Sequence, residues 1–202
     1  MNKKEKFALL LGMLCGDGCL PVKFSGEGYR DYPIQFYNAD EKLVILFKNL
    51  FKDIFGVDSK IYSAKRMNKE ELFQFCKYSK VIYQKIQETG FPIGVKRDIL
   101  RIPKMIFRGT KKEKVAFIYG VLITDGCLRK RGDILFHSGS KLFLEDLSLL
   151  ISNFTGTKKP VREYVQRKVY YSYQLNLNKP ETEKILSAYA AVGQWYSASL
   201  EN

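Results

Sequence analysis

The sequence predicts an α+β fold made of two αββαββα repeats that are related by a pseudo-twofold axis, with antiparallel sheets. Its 202 residues, of which 46% are hydrophobic, suffice for one compact unit with a sizeable core. Residues 7–18 and 115–126 align without a gap, and each is an apolar run of helical length that ends in Asp-Gly. This self-similarity indicates a repeat, with residues 1–93 as the first copy, 94–109 as a connector and 110–202 as the second copy.

The predicted elements follow each repeated segment in the same order. After the first segment, the pattern predicts strands over 19–24 and 33–37, an amphipathic helix over 40–55, strands over 57–64 and 70–77, and a helix over 80–89. After the second segment, it predicts strands over 127–130 and 133–137, a helix over 140–154, strands over 160–168 and 170–177, and a helix over 180–192 entered through Pro180. Thr110 with Glu113 predicts a capping box before the second repeated helix. The weak pattern from Gln194 onward predicts partial disorder there.

The charge of the chain indicates the class of its partner. Lys and Arg total 34 against 21 acidic residues, a formal net charge of +13, which is typical of proteins that bind a polyanion such as nucleic acid. A merely solubilising surface is the alternative. No apolar run approaches the roughly 18 residues of a membrane span, and the N-terminus lacks the pattern of a secretory signal. We therefore expect an intracellular protein, in the cytoplasm or an organelle.

Cysteine and histidine usage narrows the chemistry. The four cysteines, Cys15, Cys19, Cys76 and Cys127, match no zinc spacing, and we expect buried thiols in a reducing compartment. His137 is the only histidine, so a metal site with several histidines is excluded. Any catalysis is therefore expected to depend on carboxylates and lysines.

The repeated helices carry small residues at helical spacing, followed by an acid. Gly12 with Gly16, and Gly120 with Thr124, form stripes that permit close helix packing. Asp17 and Asp125 end the two helices, so packing would bring two carboxylates together at negative helix ends, where a divalent cation relieves the repulsion. Carboxylates around a hard metal ion suit phosphodiester hydrolysis. The alternative is two ordinary core helices, each ending in a local Asp-Gly turn.

Both segments resemble the motif of the LAGLIDADG homing endonucleases. The matching residues are Leu10-Leu-Gly-Met-Leu-Cys-Gly-Asp-Gly18 and Ile118-Tyr-Gly-Val-Leu-Ile-Thr-Asp-Gly126, and the connector Gly94-Val-Lys-Arg-Asp-Ile-Leu-Arg-Ile-Pro103 is similar to the segment before the second motif of the family. The likeness covers nearly the whole chain. It implies motif helices packed at the centre of the molecule, sheets that form a DNA-binding saddle, and a monomer that cuts both strands of duplex DNA and leaves short 3′ overhangs.

The resemblance also implies roles for individual residues. Asp17 and Asp125 would bind the catalytic Mg²⁺, with Mn²⁺ as a substitute and Ca²⁺ supporting binding without cleavage. Gly16 and Thr124 would offer main-chain carbonyls to the ions. Lys96 corresponds to a lysine near the scissile phosphate, or alternatively is a surface or DNA-backbone lysine, and the second repeat has no lysine around Gln194. Asn38, Lys42, Ser138 and Lys141 are assigned either to the water network around the metals or to helix starts.

DNA contacts are expected from the sheets, because a two-stranded β-ribbon fits the major groove and alternation puts every second side chain on the DNA face. The candidates in the first half are Lys23, Arg30, Gln35, Lys60, Tyr62, Lys65, Arg66 and Gln74. Those in the second half are Arg129, Arg131, Arg162, Tyr164, Gln166, Lys168, Tyr170 and Gln174. A solvated sheet face is the alternative for each of them. We expect the central base pairs to be read through their bendability.

Two other functions fit the same fold. One is an RNA-binding maturase, for which intron RNA is a partner. The other is a DNA-binding regulator without chemistry. The presence of both Asp17 and Asp125 favours cleavage over the regulator, since a missing carboxylate would have indicated it.

Overall fold

The computed structural model describes residues 1–24, 30–65, 71–166 and 170–200. The first helix, α1 (Lys3–Asp17), begins at Asn2, whose side chain accepts hydrogen bonds from the N–H groups of Lys4 and Glu5. The Glu5 carboxylate accepts from the Asn2 N–H in return, which completes a capping box. The helix ends at Gly18, and the chain passes directly from Asp17 into the first strand.

The first half continues with strands and two further helices. The elements are β1 (Gly18–Cys19), β2 (Lys23–Phe24), β3 (Arg30–Asp31), β4 (Pro33–Asn38), α2 (Glu41–Phe55), β5 (Ile61–Lys65), β6 (Glu71–Tyr78) and α3 (Lys80–Glu88). Four strands form an antiparallel sheet in the order β1-β4-β6-β5, and β2 pairs with β3 apart from it. The strand predicted over 19–24 is therefore split, because Pro21 has no N–H group to continue the ladder.

The connector contains a short helix that the sequence pattern did not predict. This helix, α4 (Lys104–Arg108), follows Pro103 and precedes α5 (Lys111–Asp125), the second repeated helix. The capping box predicted for α5 is confirmed: the Thr110 hydroxyl accepts from the Glu113 N–H at 3.2 Å, and the Glu113 carboxylate accepts from the Thr110 N–H at 3.3 Å.

The second half repeats the first. It contains β7 (Gly126–Leu128), β8 (Ile134–Ser138), α6 (Lys141–Thr155), β9 (Val161–Gln166), β10 (Tyr170–Leu177) and α7 (Lys179–Leu200), with the sheet order β7-β8-β10-β9. Asn178 caps α7 through the N–H of Glu181, so Pro180 is the second helical residue rather than the first. The backbone is helical through Leu200, in the stretch where the sequence pattern predicts partial disorder. No proline interrupts that stretch, so the helix continues.

The two repeated helices pack against each other through their glycines. A Cβ on Gly12 would overlap the carbonyl oxygen of Phe117 and lie 3.1 Å from Cα of Gly120. A Cβ on Gly120 would overlap the carbonyl of Leu9 and lie 2.8 Å from the N atom of Met13. Only glycine permits this approach of two backbones, which explains why α1 and α5 accept a residue that costs a helix about 1 kcal/mol.

Each sheet has one face in the core and one face turned outward. In the first sheet, Phe36 and Phe75 are buried against Phe47 of α2, with ring centroids 4.5 and 5.1 Å from it. In the second sheet, Phe136 and Leu175 are buried in the same manner. Because side chains alternate along a strand, the residues between these lie on the outward faces.

The structure also tests the expectations drawn from composition. Of the cysteines, Cys15 is buried, Cys19 and Cys76 are half-buried, and Cys127 is exposed, so the expectation of buried thiols is wrong for all but Cys15. Cys19 and Cys76 lie on the outward face of the first sheet, and Cys127 is exposed at an edge strand. Within the described ranges, no helix has the length and apolar character required to cross a membrane.

Candidate active site at the helix seam

The paired helices end side by side, which brings the two acidic residues of the motifs to one place. A Cβ on Gly16 would overlap the Thr124 side chain and would lie 3.5 Å from the carboxyl carbon of Asp125. Gly16 directly precedes Asp17, so the ends of α1 and α5 carry their carboxylates at a shared site. The structure therefore brings together the two carboxylates that were singled out from the sequence.

The electrostatics of this pair differ between its members. Burial raises the pKa of Asp125 to about 7, with a further increase from the charge of Asp17 and an opposing effect of Lys96. Burial also raises the pKa of Asp17, but a hydrogen bond from Asn38 Nδ2 at 2.7 Å and the charge of Lys96 oppose that shift. Two carboxylates in a poorly solvated site favour a bound proton or a bound cation.

Lys96 joins this site from the connector and is tightly held. Its ammonium donates to the main-chain carbonyls of Leu14 at 3.0 Å and Cys15 and Gly18 at 2.8 Å, and also to the carbonyl of Gly16. Cys15 and Gly16 belong to the last turn of α1, where carbonyls lack partners within the helix, whereas the Leu14 carbonyl also accepts from the Gly18 N–H. Burial lowers the pKa of Lys96, and the nearby Cys15, Asp125 and Asp17 oppose the shift. Lys96 therefore caps α1 as well as lying beside the carboxylates.

Gly16 and Thr124, whose main-chain carbonyls were assigned to metal binding, differ from each other in their hydrogen bonds. The Gly16 carbonyl accepts from Lys96, and it keeps a second lone pair for another partner. The Thr124 hydroxyl turns back along its own helix and donates to the carbonyls of Gly120 at 2.9 Å and Val121 at 3.2 Å. The Thr124 carbonyl belongs to the last turn of α5, where carbonyls lack partners within the helix.

We call the place where the ends of α1 (Gly16–Asp17) and α5 (Thr124–Asp125) meet the seam, and its donor set fits Mg²⁺. It consists of two carboxylates and main-chain carbonyls, which are the oxygen ligands that hard cations prefer. Among the described residues, no group of three or more His, Cys, Asp and Glu side chains is arranged to hold a metal ion. A site with two carboxylates is nevertheless typical for Mg²⁺, which keeps several water ligands and binds substrate phosphates.

The four residues assigned to a water network divide into two groups. Asn38 reaches the carboxylate of Asp17, and Ser138 lines the cleft that contains Asp125. Lys42 is exposed on the first turn of α2, where its N–H donates to Asp40. Lys141 is exposed and lies 3.9 Å from Glu145 on its own helix. The structure thus brings Asn38 and Ser138 to the site, whereas Lys141 pairs elsewhere.

A cleft of about 640 Å³ opens between the seam and the second sheet. Its walls include Asp125 and Lys96, together with Arg97, Ser138 and Gly139. Arg97 is a further residue of this site, and its position next to Lys96 was the available signal in the sequence.

His137 also lines this cleft and points outward from the second sheet. Its ring centroid lies 6.5 Å from that of Tyr164, and burial, aided by the charge of Arg129, lowers the pKa of His137. The lowered pKa favours the neutral imidazole, which offers one donor and one acceptor to a ligand.

The outward faces carry most of the described candidates for DNA contact. On the first sheet, Gln35 lies between Cys19 and Cys76, and Gln74 lies between Tyr37 and Tyr62. On the second sheet, Gln174 lies between His137 and Arg162, and Tyr164 is opposite Ser172. Because His137 and Ser172 also line the cleft, the outward face of the second sheet is continuous with the seam. Lys60 is exposed just before β5.

Arg129 and Arg131 are oriented by Asp133, which was not among the candidate residues from the sequence. Asp133 accepts from Arg129 Nε at 3.0 Å and pairs with Arg131 at 2.8 Å, and these arginines lower the pKa of Asp133 to about 2. Arg129 also donates to Asn176 at 2.5 Å. The i,i+4 spacing of Arg129 and Asp133 was a weak signal, because this spacing predicts an ion pair in a helix but not in a turn.

Several candidates cannot be placed in this interface. The side chains of Lys23, Arg30, Lys65, Gln166 and Tyr170, and the whole of Arg66 and Lys168, lie outside the described residues.

No protein-family model matches the sequence, and no curated protein matches it. Solved structures match it closely in shape. Mesophilic variants of the homing endonuclease I-DmoI give a TM-score of 0.72 at 20% identity, over 93% of this chain and 96% of that chain. I-DmoI in complex with DNA and Mn gives 0.70 at 21% identity, over 93% and 97%, and it is also known with DNA and Ca and, as a variant, with Mg. I-WcaI bound to its DNA recognition sequence gives 0.58 at 12% identity, over 93% and 81%. The chain therefore has the fold of I-DmoI, a single-chain LAGLIDADG homing endonuclease, as its two motif copies predicted.

Proposed function

We propose that this protein is a site-specific DNA endonuclease that uses Mg²⁺ to break both strands of a long duplex target and leaves short 3′ overhangs. The observation that carries the proposal is the meeting of Asp17 and Asp125 at the ends of two helices that pack through glycines. The net charge of +13 and the fold shared with DNA-bound homing endonucleases support it.

Asp17 and Asp125 would hold the metal, with the carbonyls of Gly16 and Thr124 as further oxygen donors. When bound, Mg²⁺ supplies a Lewis acid and a more acidic water molecule. Asp125 must lose its proton before it becomes a ligand, because its pKa lies near 7 in the metal-free protein. Asn38 keeps the Asp17 carboxylate in one orientation through its 2.7 Å hydrogen bond.

Phosphodiester hydrolysis makes one bond and breaks one. The oxygen of a water molecule bonds to phosphorus, the bond from phosphorus to the leaving ester oxygen breaks, the water loses a proton and the leaving oxygen gains one. Lys96 lies beside both carboxylates, and its ammonium is positioned to stabilise negative charge that develops on the phosphate. Its four carbonyl partners fix it there.

The outward faces of the sheets would read the target. Gln35 and Gln74 offer amides suited to adenine, and Arg162 offers a guanidinium suited to guanine. Arg129 and Arg131 are oriented by Asp133, which favours directional contacts with bases or phosphates. One chain carries both motif helices and both sheets, so a monomer suffices for both strands.

The proposal is tested by cleavage of a library of long randomised duplexes, with the breaks mapped by sequencing. The protein is incubated in Mg²⁺, in Ca²⁺ and in EDTA, beside the Asp17→Asn variant. We expect breaks at one long site in Mg²⁺ and none in EDTA or with the variant. Specific binding without breaks in any metal would identify a regulator instead, and stronger binding to intron RNA than to DNA would identify a maturase.

A further inference from the structure

Gly139 is a glycine whose backbone does not require one. It links β8 to Ser140, the residue that caps α6, and it is not among the glycines with positive φ. The space that a side chain at this position would need is filled by Arg97. A Cβ there would lie 2.5 Å from Cγ of Arg97 and 3.3 Å from its Cδ and Nε. Cγ and Cδ belong to the aliphatic stem of the exposed Arg97 and Nε to its guanidinium, so a Cβ at this position would displace the side chain.

The same position in the first half is filled by a residue with a Cβ. Asn38, Ala39 and Asp40 link β4 to α2 as Ser138, Gly139 and Ser140 link β8 to α6. The two links share their lengths and their capping role, and they differ in that Gly139 receives the stem of Arg97. Arg97 thereby crosses from the connector to the second half and lines the cleft that contains Asp125.

The surroundings of the two carboxylates make this placement chemically useful. Asp17 accepts a hydrogen bond from Asn38, and Lys96 is held by the end of α1. At the corresponding place near Asp125 stands Ser138, whose hydroxyl accepts from the Ser140 N–H at 3.1 Å. Lys96 acts on both carboxylates, and Arg97 is the second cation of the connector that lines the cleft beside Asp125.

We propose that Arg97, seated over Gly139, is a further catalytic residue that contacts the scissile phosphate of one DNA strand on the Asp125 side of the seam. A guanidinium suits this task, because it stays charged and its fork of N–H donors matches two phosphate oxygens. It stabilises the charge that develops on those oxygens as the water attacks, and it exchanges no proton. The inference rests on the proposed endonuclease function.

The test uses the target site mapped with the wild-type protein, as a duplex in which each strand carries its own end label. Strand-resolved cleavage rates in Mg²⁺ and dissociation constants in Ca²⁺ are measured for Arg97→Ala, Arg97→Lys and Gly139→Ala. Arg108→Ala is the matched control, since it removes an exposed arginine of α4 that does not line this cleft. Thermal melting shows that each variant is folded.

We expect Arg97→Ala to slow cleavage of one strand about 100-fold more than the other, which is the typical effect of losing one preorganised donor. Arg97→Lys restores part of the rate, and Gly139→Ala reproduces the strand bias because its Cβ displaces the arginine. Arg108→Ala cuts both strands as the wild type does. The dissociation constants of the Arg97 variants stay within a few-fold of the wild-type value.

Two results would overturn the inference alone. One is an unchanged ratio of strand rates in folded Arg97→Ala, and the other is a loss of binding as large as the loss of rate. If the wild-type protein makes no breaks in any metal, the proposed function fails, and the role of Arg97 fails with it.

Discussion

The two halves of the molecule have the same backbone plan but surround their carboxylates differently. Asp17 is hydrogen bonded by Asn38, whereas Asp125 stands near Ser138 and has its pKa raised to about 7. Both sheets have the same strand order, so the difference does not arise from topology. It arises from burial, which is the main cause of the raised pKa of Asp125, and from Asn38, whose hydrogen bond opposes the same effect at Asp17, so a pseudo-symmetric fold holds an asymmetric site.

The outward faces of the two sheets differ as well. The described residues of the first face include amides, tyrosines and thiols, as at Gln35, Tyr62 and Cys76. The outward face of the second sheet carries Arg162, and the turn between β7 and β8 carries Arg129 and Arg131, which are held by Asp133. We therefore expect Arg162 and this arginine pair to contact guanine and phosphate in the half-site bound by the second sheet.

The largest expected effect is the loss of either carboxylate. Asp17→Asn and Asp125→Asn should each lower double-strand cleavage at least about 1000-fold, because each removes a charged metal ligand. Binding in Ca²⁺ should change far less, as measured by electrophoretic mobility shift. If binding weakens as much as cleavage, the metal role of that residue is wrong. Unequal nicking by the two variants would measure the asymmetry of the halves.

The next largest effect is a loss of folding stability when the close packing of α1 against α5 is disturbed. Gly16→Ala should lower the free energy of unfolding by about 3 kcal/mol, because the new Cβ overlaps the Thr124 side chain. In a Thr124→Gly background the same change should cost almost nothing, since the obstructing atoms are gone. Urea denaturation of the four proteins in this double-mutant cycle gives the coupling. Equal costs in both backgrounds would show that the helices are not packed as described.

The pH dependence should distinguish the carboxylates. Below pH 7 a proton on Asp125 competes with the metal, so cleavage at subsaturating Mg²⁺ should fall about tenfold per pH unit. Asn38→Ala removes a donor that lowers the pKa of Asp17, so the midpoint of the rate profile should move to higher pH. Ser138→Ala is the matched change in the second half and should move it less. A larger shift for Ser138→Ala would reverse this comparison.

The raised pKa of Asp125 also predicts how the stability of the metal-free protein depends on pH. The folded pKa of Asp125, about 7, exceeds its ordinary value of 3.8, so the folded state binds more protons than the unfolded state between those values. Stability in EDTA should therefore fall as the pH rises from about 4 to about 7, and Asp125→Asn should flatten this slope. Thermal melts across that range measure it. A slope that persists unchanged in the variant assigns it to other groups.

The smallest effect is a modest loss of DNA binding when the arginines beside the second sheet lose their acidic partner. Asp133→Asn should weaken specific binding about fivefold, or about 1 kcal/mol, because Arg129 and Arg131 lose the carboxylate that orients them. Asp58→Asn in the first half is the control, since that carboxylate pairs with Lys48 and Lys52. Binding isotherms for duplexes altered in one half-site at a time assign the loss. A loss confined to the first half-site would contradict the orientation of the interface.

The fold and the central pair of acids were predictable because they depend on local patterns. Two copies of an apolar run ending in Asp-Gly gave the repeat, and Gly12 with Gly120 gave the helix contact. The strand split at Pro21 was also implicit in the sequence, since a residue without an N–H group weakens a ladder.

Other features depend on contacts between distant segments. Lys96 binds carbonyls about 80 positions earlier in the chain, and nothing in its neighbours indicates that partner. Arg97 and Gly139 meet only when the connector crosses to the second half. Arg101 likewise reaches Asp146 of α6, at 2.6 Å, and fixes the connector to that helix. These contacts determine the surroundings of the carboxylates, so the asymmetry of the site could not be read from the repeat.

Cleavage of the protein backbone by bound Fe²⁺ tests whether Asp17 and Asp125 hold one shared metal centre. Fe²⁺ replaces Mg²⁺ in the protein bound to its mapped target, and ascorbate with peroxide then generates hydroxyl radicals at the metal. We predict backbone breaks near both Gly16–Gly18 and Thr124–Gly126, suppressed by excess Mg²⁺ and lost in Asp125→Asn. Breaks beside one motif alone, or breaks that Mg²⁺ does not suppress, would contradict a shared centre.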